Sequence, residues 1–120
     1  MAQVVALVDD LFFQAKIVQT AKQLGIELRT CVTPDALAAE IAKDPPRLVV
    51  VDLNARSNPL EAAERVRASG RQIPLVAFLS HVQVDLAARA SAAGFQEIMP
   101  RSKFTLNLAT ILARVQSEPS

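Results

Sequence analysis

The strongest constraint on the fold is a pair of short apolar runs, each of which ends in an acidic residue. Residues 4–8 are followed by Asp9 and Asp10, and residues 48–51 are followed by Asp52. Neither run alternates polar with apolar residues, which is typical of strands buried on both faces of a parallel sheet. The chain is therefore expected to contain such a sheet, with carboxylates at the ends of two strands.

Further segments complete a set of five predicted strands. Residues 75–79 repeat the apolar pattern after a proline, and shorter candidates lie at residues 27–32 and 96–99. Helical patterns separate the strands, and the first places its apolar residues on one face before it stops at Gly25. Thr33 and Pro34 predict the N-cap and the first turn of the second helix.

Turn residues mark the other three predicted helices. Asn58 is the predicted N-cap of the third helix, with Glu61 completing a capping box and Gly70 ending the helix. The fourth helix is predicted to end at Gly94, and the fifth is predicted to begin at Thr105. Strands and helices therefore alternate along the chain.

This alternation requires right-handed crossovers and a parallel sheet with helices on both faces. The predicted fold is a doubly wound α/β sandwich with five parallel strands in the flavodoxin-like order 2-1-3-4-5. A chain of 120 residues is long enough for one such domain, and no repeat or linker divides it. We assign residues 1–116 to the domain and expect residues 117–120 to be a frayed tail.

Composition argues against several classes of function. A net charge of +1 provides no field for binding nucleic acid or an anionic membrane surface. A single cysteine, Cys31, and a single histidine, His81, exclude an internal disulfide and argue against a Cys/His zinc site. No uncharged run approaches the roughly 20 residues needed to cross a bilayer, and a cytoplasmic protein is expected.

The acidic strand ends form the candidate site. In an open α/β sheet, sites lie beyond the carboxyl ends of the strands, where the winding direction reverses. If the first and third strands are neighbours, Asp9, Asp10 and Asp52 converge there and repel each other. Mg²⁺, which binds carboxylates, waters and phosphate oxygens, is the simplest compensation. In the alternative, one aspartate caps the following helix and another faces solvent.

Three segments around these acids carry more specific information. They are residues 8–10 (Val-Asp-Asp), 51–54 (Val-Asp-Leu-Asn) and 100–104 (Pro-Arg-Ser-Lys-Phe). Together they resemble the receiver domain of two-component response regulators, over nearly the whole chain. The resemblance implies a phosphoacceptor at Asp52, with a histidine kinase, a phosphotransfer protein or a small phosphodonor supplying the phosphoryl group. The implied Mg²⁺ ligands are Asp9, Asp10, Asp52 and the backbone carbonyl of Asn54.

Two of the departures from the receiver pattern fall at the expected phosphate-binding positions. Receivers usually carry a hydroxyl at the end of the fourth strand, where this chain has Leu79, with Ser80 one residue later. The lysine that receivers carry after the fifth strand is Arg101 here, which keeps the charge but has a wider, planar head. Ser80 and Arg101 are the predicted phosphate-binding side chains, Ser80 by way of a bulge at the strand end.

The leading hypothesis is a stand-alone receiver that accepts a phosphoryl group on Asp52 and is not an enzyme. It signals by contact with another protein, or with a second copy of this chain, through the fourth helix, fifth strand and fifth helix. The alternative, which Leu79 and Arg101 favour, is a degenerate receiver that serves as an interaction module without phosphorylation. A haloacid-dehalogenase-like phosphatase needs an aspartate where Leu11 stands, and a flavin site needs a Gly-, Ser- or Thr-rich first loop.

Overall fold

The computed structural model describes residues 3–80 and 83–116, and five strands within those ranges form one sheet. The strands are β1 (Val4–Leu7), β2 (Leu28–Cys31), β3 (Leu48–Asp52), β4 (Leu75–Leu79) and β5 (Glu97–Pro100). Their order is β2-β1-β3-β4-β5, and each pairing is parallel. The predicted doubly wound sheet and its strand order are confirmed.

Helices cover both faces of the sheet. They are α1 (Leu11–Gln23), α2 (Pro34–Lys43), α3 (Glu61–Ala68), α4 (Val84–Ala93), α5 (Arg101–Leu106) and α6 (Leu108–Ala113), followed by a 3₁₀ turn (Arg114–Gln116). Apolar side chains of α1, α5 and α6 form the core on one face of the sheet, whereas those of α2, α3 and α4 form it on the other. Right-handed crossovers around a parallel sheet produce this arrangement.

The central strands contribute to both cores. Every residue of β1, β3 and β4 is buried. Because successive side chains point to opposite faces of a strand, Val5 and Leu7 pack with α2 and α3 while Val4 and Ala6 pack with α1 and α6. These strands have no solvent-facing side, which explains why the sequence shows no polar alternation there.

Most of the predicted helix boundaries are confirmed. The Thr33 hydroxyl accepts a hydrogen bond from the Ala36 amide at 3.0 Å, as expected of the N-cap of α2. Gly25 follows α1 directly after the C-cap residue. Gly94 ends α4 with a φ of 117°, a conformation that residues with a Cβ rarely adopt.

The start of α3 differs from the prediction. Asn58 is not the N-cap, because the helix begins at Glu61, after Leu60. Asn58 instead has a left-handed φ of 57°, and its carbonyl oxygen accepts a hydrogen bond from the Glu61 amide at 3.1 Å. Asparagine adopts this conformation more readily than most residues with a side chain. A tight turn therefore leads into α3 in place of the predicted capping box.

The last helical segment also begins earlier than predicted. Thr105 lies inside α5, which begins at Arg101 directly after Pro100. Proline lacks an amide hydrogen and fixes φ near −65°, so it is well placed just ahead of a helix. The Thr105 hydroxyl donates to the Arg101 carbonyl oxygen at 2.8 Å, one turn back along the helix. Asn107 then separates α5 from α6.

Two features of the sequence fall beyond the described ranges. They are the predicted frayed tail at residues 117–120 and the single histidine, His81. The domain boundary at residue 116 stays a prediction. Among the helices that the structure describes, none has the length and apolar character that a membrane span requires.

Three phenylalanines fill the core beneath α1 and α5. Phe78 and Phe104 stack with their ring centroids 4.5 Å apart, and the Phe13 ring lies 4.9 Å from Phe78. Phe78 and Phe104 are fully buried. Offset and tilted ring pairs of this kind add to the free energy gained from burial, so this cluster is a major source of stability on that face of the sheet.

Phe104→Ala is expected to lower the free energy of unfolding by about 3–5 kcal/mol, because it leaves a cavity in the aromatic cluster. Phe12→Ala is the matched control: Phe12 is 92% exposed, and its removal should change stability by less than about 0.5 kcal/mol. Urea denaturation monitored by circular dichroism measures both. Equal losses for the two variants would contradict the assignment of Phe104 to the core.

Candidate functional site

The carboxyl ends of β1 and β3 bring the three predicted acids to one edge of the sheet. β1 lies beside β3 with Leu7 opposite Val51, so the residues that follow the two strands are neighbours. Asp52 is the last residue of β3; it is 1% exposed and is the one buried charged residue in the described ranges. Burial raises the pKa of Asp52, and the negative charges of the partly exposed Asp9 and Asp10 raise it further.

Arg101 connects two of these acids. Its backbone begins α5 directly after β5, so its side chain starts from the same edge of the sheet. Nη1 donates to Asp10 Oδ2 at 3.2 Å, and Nη2 donates to Asp52 Oδ2 at 3.5 Å. One guanidinium therefore provides positive charge to two carboxylates that would otherwise repel each other.

Two aromatic rings hold the Arg101 guanidinium in place. Its central carbon lies 4.7 Å from the centroid of the Phe13 ring and 5.6 Å from that of Phe78. Both distances are within the range of a cation–π interaction. The planar arginine head can lie against a ring while its two outer nitrogens reach separate carboxylates, an arrangement that the compact lysine ammonium does not reproduce.

The two acids bound by Arg101 differ in their electrostatics. Burial raises the pKa of Asp52, although the Asn54 amide hydrogen bond and the Arg101 charge act in the opposite direction. The hydrogen bond from the Phe13 amide, followed by that from Arg101, lowers the pKa of Asp10. Asp52 is therefore the acid whose ionised form is disfavoured, and Asp10 is the acid whose ionised form is stabilised.

Asp10 and Asp9 are both engaged by backbone amides. Asp10 Oδ1 accepts hydrogen bonds from the Phe12 amide at 3.0 Å and the Phe13 amide at 3.2 Å, so Asp10 is the N-cap of α1. Asp9 Oδ2 accepts a hydrogen bond from the Arg56 amide at 2.9 Å. The alternative in which one acid caps the next helix is therefore confirmed for Asp10, which also contacts Arg101.

The three acids supply the oxygen ligands that Mg²⁺ prefers, but their side chains are not arranged as a ligand set. In the described ranges, no group of three or more His, Cys, Asp or Glu side chains is placed to ligate a metal ion. The Arg101 guanidinium lies against both Asp10 and Asp52. Because like charges repel, the guanidinium opposes the binding of a metal ion at these two oxygens.

The Asn54 side chain links two loops at the edge of this site. Asn54 Oδ1 accepts hydrogen bonds from the Ser80 amide at 2.6 Å and the Ser80 hydroxyl at 2.8 Å, and Asn54 Nδ2 donates to Gln83 Oε1 at 2.9 Å. The backbone carbonyl of Asn54 stays a predicted metal ligand. No sequence pattern predicted that the Asn54 side-chain amide would join these two loops.

The predicted role of Ser80 in phosphate binding stays a prediction. Its hydroxyl bonds to Asn54, and within the described ranges the structure contains no hydrogen bond from it to Asp52. Leu79 is 3% exposed and packs in the core on the α4 side. The end of β4 thus presents an apolar side chain to the core, and the first hydroxyl after it is held by the neighbouring loop.

Comparison with solved structures identifies the class of fold. The receiver domain of NtrX from Brucella abortus aligns with a TM-score of 0.79 at 19% identity, covering 96% of this chain and 99% of that one. The receiver domain of the sensor histidine kinase PA1611 from Pseudomonas aeruginosa PAO1 aligns with a TM-score of 0.81 at 17% identity, covering 98% and 100%. That structure has a magnesium ion coordinated in its active-site cleft.

The beryllofluoride-activated NtrC4 receiver domain, a dimer, aligns with a TM-score of 0.76 at 15% identity over 96% of this chain and 99% of that one. The chain therefore has the fold of response regulator receiver domains, as the sequence resemblance predicted. No protein-family model and no curated protein matches the sequence. At these identities the likeness establishes the fold, and function has to be argued from the site.

Asp52→Asn is expected to raise the free energy of unfolding at neutral pH, because burial disfavours the ionised carboxylate and the variant carries a neutral group of nearly the same size. The pKa of Asp52 is raised in the folded state. Wild-type stability therefore falls as pH rises from the unfolded pKa through the folded pKa. The advantage of the variant should shrink as pH decreases and wild-type Asp52 binds a proton. Thermal denaturation in EDTA over a pH series measures the difference.

Asp10→Ala is expected to change the free energy of unfolding in the opposite direction in the same experiment. It removes the N-cap of α1 and should lower the free energy of unfolding by about 1 kcal/mol at neutral pH. Because the pKa of Asp10 is lowered in the folded state, this loss should disappear as the pH falls through that pKa. A loss of stability in Asp52→Asn equal to that in Asp10→Ala would contradict the dominance of burial at Asp52.

Proposed function

We propose that this chain is a cytoplasmic receiver-type signalling module that accepts a phosphoryl group on Asp52. The observation that carries the proposal is the placement of Asp52 at the carboxyl end of β3, buried and with Arg101 Nη2 3.5 Å from Oδ2. This is the phosphoacceptor position that the resemblance to receivers implies. The proposed phosphodonor is a histidine kinase, a phosphotransfer protein or a small phosphorylated molecule.

In the proposed transfer, a carboxylate oxygen of Asp52 attacks the phosphorus atom of the donor. A bond forms between that oxygen and phosphorus while the bond from phosphorus to the leaving group breaks, and the leaving group keeps the bonding electrons. The product brings additional negative charge, which the Arg101 guanidinium offsets. Mg²⁺ is the proposed cofactor because the neighbouring acids offer oxygen ligands. We propose no separate enzymatic activity.

Intact-protein mass spectrometry tests this proposal. Acetyl phosphate with Mg²⁺ should add the mass of one phosphoryl group to the wild type, and EDTA in place of Mg²⁺ should prevent the addition. Asp52→Asn should gain no mass. Asp85→Asn, on the exposed side of α4, is the matched control and should react as the wild type does. An unmodified wild type, or a modified Asp52→Asn, would remove the case for Asp52 as the acceptor.

A phosphorylation-independent interaction module is the second candidate function. Two observations favour it: Leu79 is buried where receivers have a hydroxyl, and Arg101 already occupies the position between Asp10 and Asp52. Such a module keeps the receiver fold and presents its binding surface constitutively. Partner binding without any change in the mass of the protein would favour this candidate over the first.

Both candidates act through a partner, and the proposed contact surface is formed by α4, β5 and α5. Val84 on α4 is 72% exposed, and Leu106 at the end of α5 is 86% exposed. An apolar groove of about 220 Å³ lies between α4 and β5, with Val84 and Ile98 among its lining residues. Exposed apolar patches of this kind are typical of protein-binding surfaces. The proposed occupant is a downstream protein or a second copy of this chain.

Lys103→Glu, on the exposed side of α5, is expected to weaken capture of a partner from lysate severalfold without lowering the melting midpoint. It reverses a charge on the proposed surface and leaves the core intact. Lys43→Glu, at the exposed end of α2, makes the same charge change elsewhere and should capture as the wild type does. If only Lys43→Glu weakens capture, the surface assignment is wrong.

A further inference from the structure

We propose that Arg101 and a divalent cation compete for the same two carboxylates, so that Arg101 sets how tightly this pocket binds Mg²⁺. The carboxylate oxygens suit Mg²⁺, but the side chains of the described residues are not arranged as a ligand set for it. This proposal rests on the Mg²⁺ part of the proposed function and does not depend on phosphorylation. Arg101 is thus an internal counter-ion that restricts metal entry.

The contacts of Arg101 place its charge on the oxygens that a metal ion would need. Nη1 lies 3.2 Å from Asp10 Oδ2 and Nη2 lies 3.5 Å from Asp52 Oδ2. A divalent ion at these oxygens meets the guanidinium at contact distance, where repulsion between positive charges is strong even after solvent screening. The two carboxylates therefore bind either the ion or the guanidinium, but not both at once.

Backbone amides bind other oxygens of these acids. Asp9 Oδ2 accepts a hydrogen bond from the Arg56 amide at 2.9 Å. Asp10 Oδ1 accepts hydrogen bonds from the first turn of α1, and Asp52 Oδ1 accepts one from the Asn54 amide at 2.9 Å. Arg101 contacts the second oxygen of Asp10 and of Asp52, so a metal ion at those two oxygens has to displace the guanidinium.

Aromatic contacts keep Arg101 at the pocket. The guanidinium carbon lies 4.7 Å from the Phe13 ring centroid, and Phe13 is buried in the core. This cation–π contact favours the guanidinium position in which its two outer nitrogens contact separate acids. A lysine ammonium is compact and strongly hydrated and sits on a flexible stem, so it would be held less firmly at this position.

Arg101 also has a route out of the pocket. Its side chain is 29% exposed, and its Nε is buried without a hydrogen-bond partner in the described part of the chain. Movement of the side chain toward solvent brings that Nε into contact with water, which offsets part of the loss of the two ion pairs. The competition is therefore reversible, and Mg²⁺ at sufficient concentration displaces the guanidinium.

Isothermal titration calorimetry of Mg²⁺ into metal-free protein tests the competition. Arg101→Met keeps an unbranched side chain to cover Phe13 and removes the charge, so it should bind Mg²⁺ at least about tenfold more tightly than the wild type. Lys103→Met removes the same charge from an exposed position two residues away and should bind as the wild type does. Thermal denaturation in EDTA checks that each variant is folded.

A second variant locates the gain in affinity. Adding Asp10→Ala to Arg101→Met should abolish it, because Asp10 is one of the contested ligands. The proposal is overturned if Arg101→Met binds Mg²⁺ no more tightly than the wild type, including the case in which neither binds. It is also overturned if Lys103→Met shows the same gain, or if the gain survives the loss of Asp10.

The titration contains no phosphodonor, so its outcome is separate from that of the mass experiment. If the wild type accepts no phosphoryl group, Asp52 is not the phosphoacceptor. The Mg²⁺ competition still stands in that case if Arg101→Met gains affinity for Mg²⁺. Conversely, unchanged Mg²⁺ affinity in Arg101→Met removes the counter-ion role while phosphorylation of Asp52 stands on its own result.

Discussion

The rest of the molecule depends on the burial of β1 and β3 from both sides. Strands without a solvent-facing side need helices above and below the sheet, and parallel neighbours joined by crossovers supply them. The same constraint brings the carboxyl ends of β1 and β3 together and leaves Asp52 only 1% exposed. The packing of the core therefore brings negatively charged carboxylates together, and their repulsion has to be offset.

Groups that also stabilise the fold offset this charge repulsion. Asp10 caps α1 and contacts Arg101, so the helix start and the charge pair share one carboxylate. Arg101 begins α5 and lies against the Phe13 ring, so its position is determined by the helix and by the core on that face. The structural likeness to receivers establishes the fold.

The sequence was sufficient to predict the sheet, because continuous apolar runs leave few alternatives for strands such as β1 and β3. It also predicted that Asp52 lies beside Asp9 and Asp10, since strand order determines which strand ends meet. The contact between Arg101 and Asp10 spans 91 residues, and no local pattern encodes it. The left-handed φ of Asn58 likewise depends on the path of the chain into α3, which a capping pattern does not contain.

The Asn54 amide has a consequence for motion at this edge of the sheet. A single side chain receives two hydrogen bonds from Ser80 and donates one to Gln83, so the loop after β3 and the segment after β4 are joined by one residue. Opening either segment breaks bonds that the other also needs, which makes the two a cooperative opening unit. We therefore expect the amide hydrogens of Asn54 and Ser80 to exchange with solvent together, at a rate set by one local opening equilibrium.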